Sequence, residues 1–397
     1  MDIRGFRLTE APEDFIDDPY SYYGALREHS PVHELEGGSF FVSRYEDVVA
    51  VYRHRGASSD KKVEFKPKFG DSPLYEHHTT SLVFNDPPLH TRVRGLIMGA
   101  LNQRAIARME AGVVELVEKL TQEFPAGPFD FIEAFAARIP VEVIGNLLDI
   151  PRDERGPLRA WSIAILSGLE PRPTPGMLER GNRAVEDFKN YLSRLVEARR
   201  KRPGDYESDV LTRLIQGEKD GARLSALELY HNCIFLLNAG HETTTNLIAN
   251  GTWLLLTNED QFSRLKSEPA LIPLAIEEML RYEGPIQLNN RRLTEKIDLS
   301  GKELQVGSFI TLGIGAANRD PRQFPHAERF DVARKPNRHV AFGHGDHACA
   351  GMNVARMEAR IAFSRLLARF PNLELAGQPE RDRRIRFRGF RKLPVRT

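Results

Sequence analysis

Phe342-Gly343-His344-Gly345-Asp346-His347-Ala348-Cys349-Ala350-Gly351 sets one cysteine in a loop with three glycines, and a helical pattern begins directly after it near Met352. Glycine lets the backbone turn tightly and approach a flat object, and it leaves amides free to point at the sulphur. A helix that starts just after Cys349 adds a positive dipole end, which favours thiolate over thiol. Three other readings compete: a small buried hydrophobe, a zinc site built from His339, His344, His347 and Cys349, and a nucleophilic cysteine with a histidine base. A packing role does not call for so many glycines. On the loop alone a flat, metal-bearing cofactor ranks first, with the other readings open.

Working outward, Gly351 to Phe370 reads as a final long helix and the tail, Ile385 to Val395, as strands. Asn318 to Arg338, before the loop, is an irregular stretch rich in Pro and Arg. Glu278 and Arg281 stand three apart on a helical segment ending near Tyr282, so they share a face and can pair; most such pairs are solvated and weak. Pro285 to Phe309 holds short strand candidates interrupted by Gly301 and Gly307.

Leu224 to Leu256 runs without proline behind a capping box, Ser225 with Glu228, and its length predicts a helix crossing the whole core. In its middle, Ala239-Gly240-His241-Glu242-Thr243-Thr244 breaks the apolar run. Gly costs about 1 kcal/mol there relative to Ala and Thr can bond back to a preceding carbonyl, so a local distortion is expected. The plain alternative is a polar patch on an ordinary helix. Leu89 to Arg200 is helical with breaks at Pro125 to Pro128 and Pro171 to Pro175. Nearer the N-terminus, Tyr20 to Glu28 is helical, and Pro31 to Leu35 with Ser39 to Ser43 flank Gly37-Gly38 as a hairpin. His90 and Arg94, one turn apart, can present two donors to one anion.

Hydrophobic residues at 41% and charged residues at 28% suit a globular protein with a sizeable core. Lys+Arg 56 against Asp+Glu 55 leaves +1, so no global field favours nucleic acid or an anionic membrane. Cys233 and Cys349 are too few for a disulfide framework or a Cys-rich zinc site, which points to a reducing compartment. No apolar stretch reaches the length of a signal peptide or a membrane span. A cytoplasmic protein with a single domain over residues 1–397 is expected.

Phe342, Gly345, His347, Cys349 and Gly351 match, position for position, the haem-binding signature of cytochromes P450, and the chain resembles that family over nearly its whole length. The resemblance implies a mainly α fold with small β-sheets (α+β), in which haem b (iron protoporphyrin IX) lies between the long central helix and the cysteine loop with the final helix. It implies Cys349 as the axial thiolate and metal ligand, with Phe342 and Gly343 beside the sulphur and the amide of Gly351 tuning it. His347, His90, Arg94 and Arg291 match positions that face the haem propionates, although Arg292 offers a second register. Ala239-Gly240-x-Glu242-Thr243 matches the oxygen-binding stretch: Gly240 leaves room for dioxygen, and Thr243 with Glu242 forms an acid-alcohol pair that delivers protons. Glu278 and Arg281 match the family's Glu-x-x-Arg helix, tied into Asn318 to Pro321 and Glu328 to Phe330. The least matching parts, Ser59 to Phe84 and Gly168 to Pro203, correspond to the segments that cover the substrate.

The implied activity is a monooxygenase that inserts one atom of O2 into a C–H bond, by hydroxylation or O-dealkylation, of a small organic substrate. Oxidative coupling, desaturation or ligand binding without turnover are the alternatives. No nucleotide-binding Gly-rich fingerprint is left over, so electrons come from outside; the resemblance implies a separate ferredoxin fed by a reductase, and Arg104, Arg108, Arg334, Arg338, Arg356 and Arg360 are expected to supply its docking face. A monomer that binds neither nucleic acid nor membrane is expected. Candidate pocket residues are Leu237, Asn238, Ala239, Gln287, Leu288, Asn289 and Phe390, a mixture that suits a mostly apolar molecule with a polar handle.

Overall fold

The computed structural model describes residues 3–206, 209–219 and 222–397. After α1 (Tyr20–His29) come β1 (Val32–Glu34) and β2 (Ser39–Val42), paired antiparallel with Val32 opposite Val42. Gly37 and Gly38, at φ of +64° and +71°, make the turn that the Gly-Gly pair predicts. β3 (Ala57–Ser58) and the short helices α2 (Lys62–Phe69) and α3 (Pro73–Thr80) follow. The helical run then comprises α4 (Leu89–Ala100), α5 (Gln103–Gln122), α6 (Arg138–Leu147), α7 (Leu158–Ser167) and α8 (Pro175–Lys201). It breaks at the two proline-rich stretches, as expected.

The centre is α9 (Ala226–Thr257), a helix of 32 residues opened by the Ser225–Glu228 capping box. Apolar residues on nearly all its faces are buried, each Leu contributing about 2 kcal/mol. This leaves only the middle of the helix to be explained by something other than packing. The expected distortion around Gly240 does not occur. Thr243 and Thr245 donate back to the carbonyls of Ala239 and His241 at 2.7 and 2.9 Å, and the helix stays regular through both.

The remaining frame is α10 (Ile272–Tyr282), β4 (Leu288–Leu293), β5 (Phe309–Gly313) and α11 (Met352–Arg369). The strands form one sheet in the order β1-β2-β5-β4-β3, with β2 and β5 parallel and the other pairs antiparallel. α11 wedges against the C-terminal half of α9, its Val354, Met357 and Ile361 packing with Ile248 and Ala249, and its Ala359 and Phe363 with Leu247 and Leu254. The loop ahead of α11 is thereby set at the level of the middle of α9. No helix among the described residues is long and apolar enough to cross a membrane.

Candidate active site

The cysteine loop is closed by its own backbone: the Cys349 amide donates to Phe342 O at 2.8 Å and the Gly343 amide to Val340 O at 2.9 Å. Gly343 and Gly345 take φ of +69° and +71°, and a Cβ on Gly345 would lie 3.0 Å from Tyr52 O, so both positions favour glycine. Cys349 is left half-buried, with the Gly351 amide donating to its sulphur. Burial pushes the Cys349 thiol up, and the Gly351 amide, Arg94 and Arg356 pull it down without prevailing. The helix end alone therefore does not secure the thiolate that the sequence predicts. A metal ion held by Cys349 would supply the missing positive charge.

Across from the loop, Phe235, Ala239 and Thr243 recur every fourth residue on one face of α9. Ala239 is exposed and the other two are half-buried, whereas between Leu229 and Leu255 the rest of the helix is buried apart from the half-buried Tyr230, Gly240 and Trp253. An uncovered stripe two turns long in the middle of a core helix fits a flat group held between it and the half-buried Cys349. Gly240 is not part of that stripe. A Cβ on it would lie 2.5 Å from Ile144 Cδ1, so the glycine lets α6 pack closely, and Ala239 is the residue facing the opening. Glu242 also turns away. Consecutive residues on a helix project about 100° apart, and Glu242 is buried in an ion pair with Arg384, whose Nε donates to Asp382 at 2.6 Å.

A third side of the opening is cationic. The rings of His90 and His347 lie 3.9 Å apart, Arg94 Nη2 donates to Ala348 O at 2.7 Å, and Arg291 lies over the Tyr52 ring. Burial first, then Arg291, His90 and Arg94, push His347 down to about 3, and burial with Arg94 lowers His90, whose Nε2 is buried without a partner. Four basic groups short of anions fit a ligand that carries carboxylates. The register is resolved at β4: Arg291 turns inward, whereas Arg292 lies against Phe309. Asn289 serves this cluster, its Oδ1 accepting from Arg291 at 3.3 Å and its Nδ2 donating to Tyr52 at 3.2 Å.

Beneath the loop, Glu278 and Arg281 are both 0% exposed and joined by two hydrogen bonds of 2.7 and 2.8 Å. Arg281 also donates to the carbonyls of Asn318 and Ala327, and Glu278 accepts from Arg334, Asn337 and the Asp331 amide. This is a closed network, unlike a solvated surface pair. The zinc alternative finds no geometry: His339 pairs with Glu277, His344 with Arg53 and His347 with His90, and no metal-holding group of three occurs among the described residues.

Several expected positions are corrected. Arg334 is engaged with Glu278 and three carbonyls, which removes it from any docking face, and Arg356 and Arg360 are paired with Glu277 and Glu110. Arg104, Arg108 and Arg338 are exposed. Phe390 packs on Trp253, over three turns along α9 from Ala239, and Leu288 joins the N-terminal core with Tyr23 and Phe41. Gln287 is tied into backbone, its amide donating to Arg386 O and its Nε2 to Gly284 O. Leu237 and Asn238 are buried in α9, the latter with Oδ1 unpartnered. Phe84, Phe235 and Ile286 are among the half-buried apolar residues packed on the cluster that holds Leu237 and Phe387, with Ile286 bridged to Phe387. For Phe235 a signal was present, the spacing of four from Ala239.

A model of the family described as Cytochrome P450 matches residues 169–395. The polyketide biosynthesis cytochrome P450 PksS of Bacillus subtilis is 34% identical over 96% of this chain and 96% of its own length. Cytochrome P450 monooxygenase PikC of Streptomyces venezuelae is 35% identical over 97% of this chain and 92% of its own length. Among solved structures, P450BioI in complex with acyl carrier protein ligated to hexadec-9Z-enoic acid superimposes with a TM-score of 0.91 at 32% identity, covering 98% of this chain and 100% of that one.

Proposed function

The chain belongs to the cytochrome P450 family, oxidoreductases that bind haem b through a cysteine thiolate, and from this we propose that Cys349 supplies the thiolate and that the enzyme hydroxylates a small, mostly apolar organic substrate. The observation that carries the reading is the uncovered stripe Phe235, Ala239, Thr243 facing a half-buried cysteine with a cationic rim at its edge. Bound there, haem b supplies the activation of dioxygen and the insertion of one oxygen atom into a C–H bond.

The chain's own part is positioning and proton supply. His90, His347, Arg94 and Arg291 hold the propionates, which gives each base the anion it lacks. Phe84, Phe235 and Ile286 present apolar surface to the substrate and exclude water. Thr243, one turn after Ala239, holds a hydroxyl at the opening, and releasing its bond to Ala239 O frees that proton for donation. Glu242 reaches Thr243 only by leaving Arg384, so the ion pair governs when the acid joins the relay. A ferredoxin meets the cysteine side through Arg104, Arg108 and Arg338 in the cytoplasm.

Turnover under labelled dioxygen with a ferredoxin and its reductase tests this. One labelled oxygen in the product, lost when the ferredoxin is omitted, is expected; product oxygen derived from water contradicts it.

A further inference from the structure

Buried cations in this molecule are mostly matched by acids: Arg281 by Glu278, Arg384 by Glu242, Arg388 by Glu283, Arg155 by Glu142. Arg386 is not. Its guanidinium donates to Leu169 O at 3.0 Å, to Leu288 O at 3.3 Å and to Asn290 Oδ1, all neutral oxygens contributed by the α7–α8 connection and β4. Lys68, at the end of α2, likewise donates only to a carbonyl, Glu170 O at 2.8 Å. The two lie close enough that the charge of Arg386, after burial, holds the Lys68 ammonium down to about 8.

Two acids reach this cluster, each engaged through one oxygen, while Glu170 Oε1 is buried without a partner. Glu64 pairs with Lys61 at 2.7 Å, and Glu170 Oε2 accepts from the amides of Ile385 and Arg386 at 2.9 and 3.1 Å. Lys61, Lys68 and Arg386 therefore share Glu64 and Glu170, which leaves one positive charge over. His78, which also feels Lys68 and Arg386, is held neutral by burial, at about 3. Arg386 and Lys68 are each half-buried, and a cation partly withdrawn from water with no acid beside it is costly, so the site suits one anion.

The surroundings define what carries that anion. Leu169, Phe65, Phe69 and Phe387 belong to the apolar cluster that includes Leu237 of α9 and against which Phe235 of the open stripe packs, so apolar surface adjoins the cationic group. A cleft of about 450 Å³, lined among others by Glu10, Glu170, Arg172, Arg383, Arg384 and Ile385, opens beside the same segment and gives an approach from solvent; of its arginines, Arg383 is paired with Glu13 and Asp17 and Arg384 with Glu242 and Asp382.

We propose that Arg386, seconded by Lys68, anchors a carboxylate of the substrate, so that the enzyme selects apolar acids over neutral compounds of the same shape. This rests on the hydroxylase reading above and narrows its substrate class. Arg386 is a specificity-determining residue in this view, because its guanidinium offers a carboxylate a planar fork of donors in place of the neutral oxygens it now meets.

The test is titration of the haem-loaded enzyme with a series of straight-chain carboxylic acids and their methyl esters, read by spin-state difference spectra and by calorimetry. At least one acid is expected to bind about tenfold or more tightly than its ester. Arg386→Gln brings that acid to the affinity of the ester and leaves the ester unchanged, and Lys68→Met gives a partial loss. The proposal is overturned if no acid outbinds its ester in the wild type, or if Arg386→Gln weakens acid and ester alike. The wild-type comparison stands even if Arg386→Gln does not fold. Selective binding of an acid without labelled oxygen in a product would sink the hydroxylase reading alone; equal binding and turnover of acid and ester would sink this one alone.

Discussion

Arg281 and Arg386 are both set among backbone carbonyls, one in the frame beneath the cysteine loop and one in the roof over the open face of α9. Arg281 has Glu278 against it, and six further hydrogen-bond partners close the network around the pair, all of them from the irregular stretch. Arg386 has neutral oxygens only. The roof also holds buried polar atoms without partners, on His77, His78, Glu170, His231 and Asn238. The Glu278–Arg281 pair is matched charge for charge without any ligand, and among the described residues the unpartnered atoms of the frame are few, on Asn337 and Glu358, whereas the roof has many. One side of the molecule is built to hold a cofactor ligand in place, and the other to be finished by what it binds.

The largest effect that would break this contrast is in the frame. Glu278→Ala strands Arg281 in a dry site and is expected to cost about 3 to 5 kcal/mol in urea unfolding, with poor retention of haem. A cost under 1 kcal/mol would mean the network is no more than a surface pair.

Glu358 on α11 is an unmatched group within the frame: its Oε2 is unpartnered, and burial pushes its carboxyl up to about 8. A folded-state value above the unfolded 4.5 means that the folded protein holds this proton more tightly. Its contribution to stability is thus full below that value and is lost as pH rises to about 8. Glu358→Gln should abolish this decline and gain about 1 to 3 kcal/mol at the alkaline end; an unchanged pH profile of unfolding would contradict it.

Thr243→Ala leaves frame and roof intact. It should keep the carbon monoxide difference spectrum while product per electron pair falls about tenfold or more and hydrogen peroxide accumulates. Unchanged coupling would remove Thr243 from proton supply. The smallest effect is the mirror of the first: Arg386→Met, without substrate, should leave stability within about 1 kcal/mol of the wild type or raise it, because an unmatched cation is lost. A loss like that of Glu278→Ala would mean that Arg386 is a structural residue.

The same contrast sets how far the sequence could be read. The frame rests on local patterns: the glycines that bend the cysteine loop, the Ser225–Glu228 cap, and the spacing of three that puts Glu278 and Arg281 on one face. Spacing could not reveal that the pair is wholly buried, because that depends on carbonyls some forty residues downstream, at Asn318 and Ala327. The roof rests on encounters between distant segments. Arg386 meets Leu169 and Asn290, and no local pattern announces either. Pocket residues misread from the tail and β4 failed for a related reason, since strands alternate faces and a shift by one residue reverses what points inward. Gly240 was misassigned because a glycine in a helix signals close approach without saying by what, and here it is Ile144.

The most direct test of the whole account is the spectrum of the reduced protein with carbon monoxide, recorded for the wild type and for Cys349→Ala after expression with ample haem precursor. A strongly red-shifted Soret band in the wild type, absent from the variant, is the predicted result. A wild-type band at the position given by a nitrogen ligand, or a red-shifted band that survives in Cys349→Ala, would contradict ligation through Cys349.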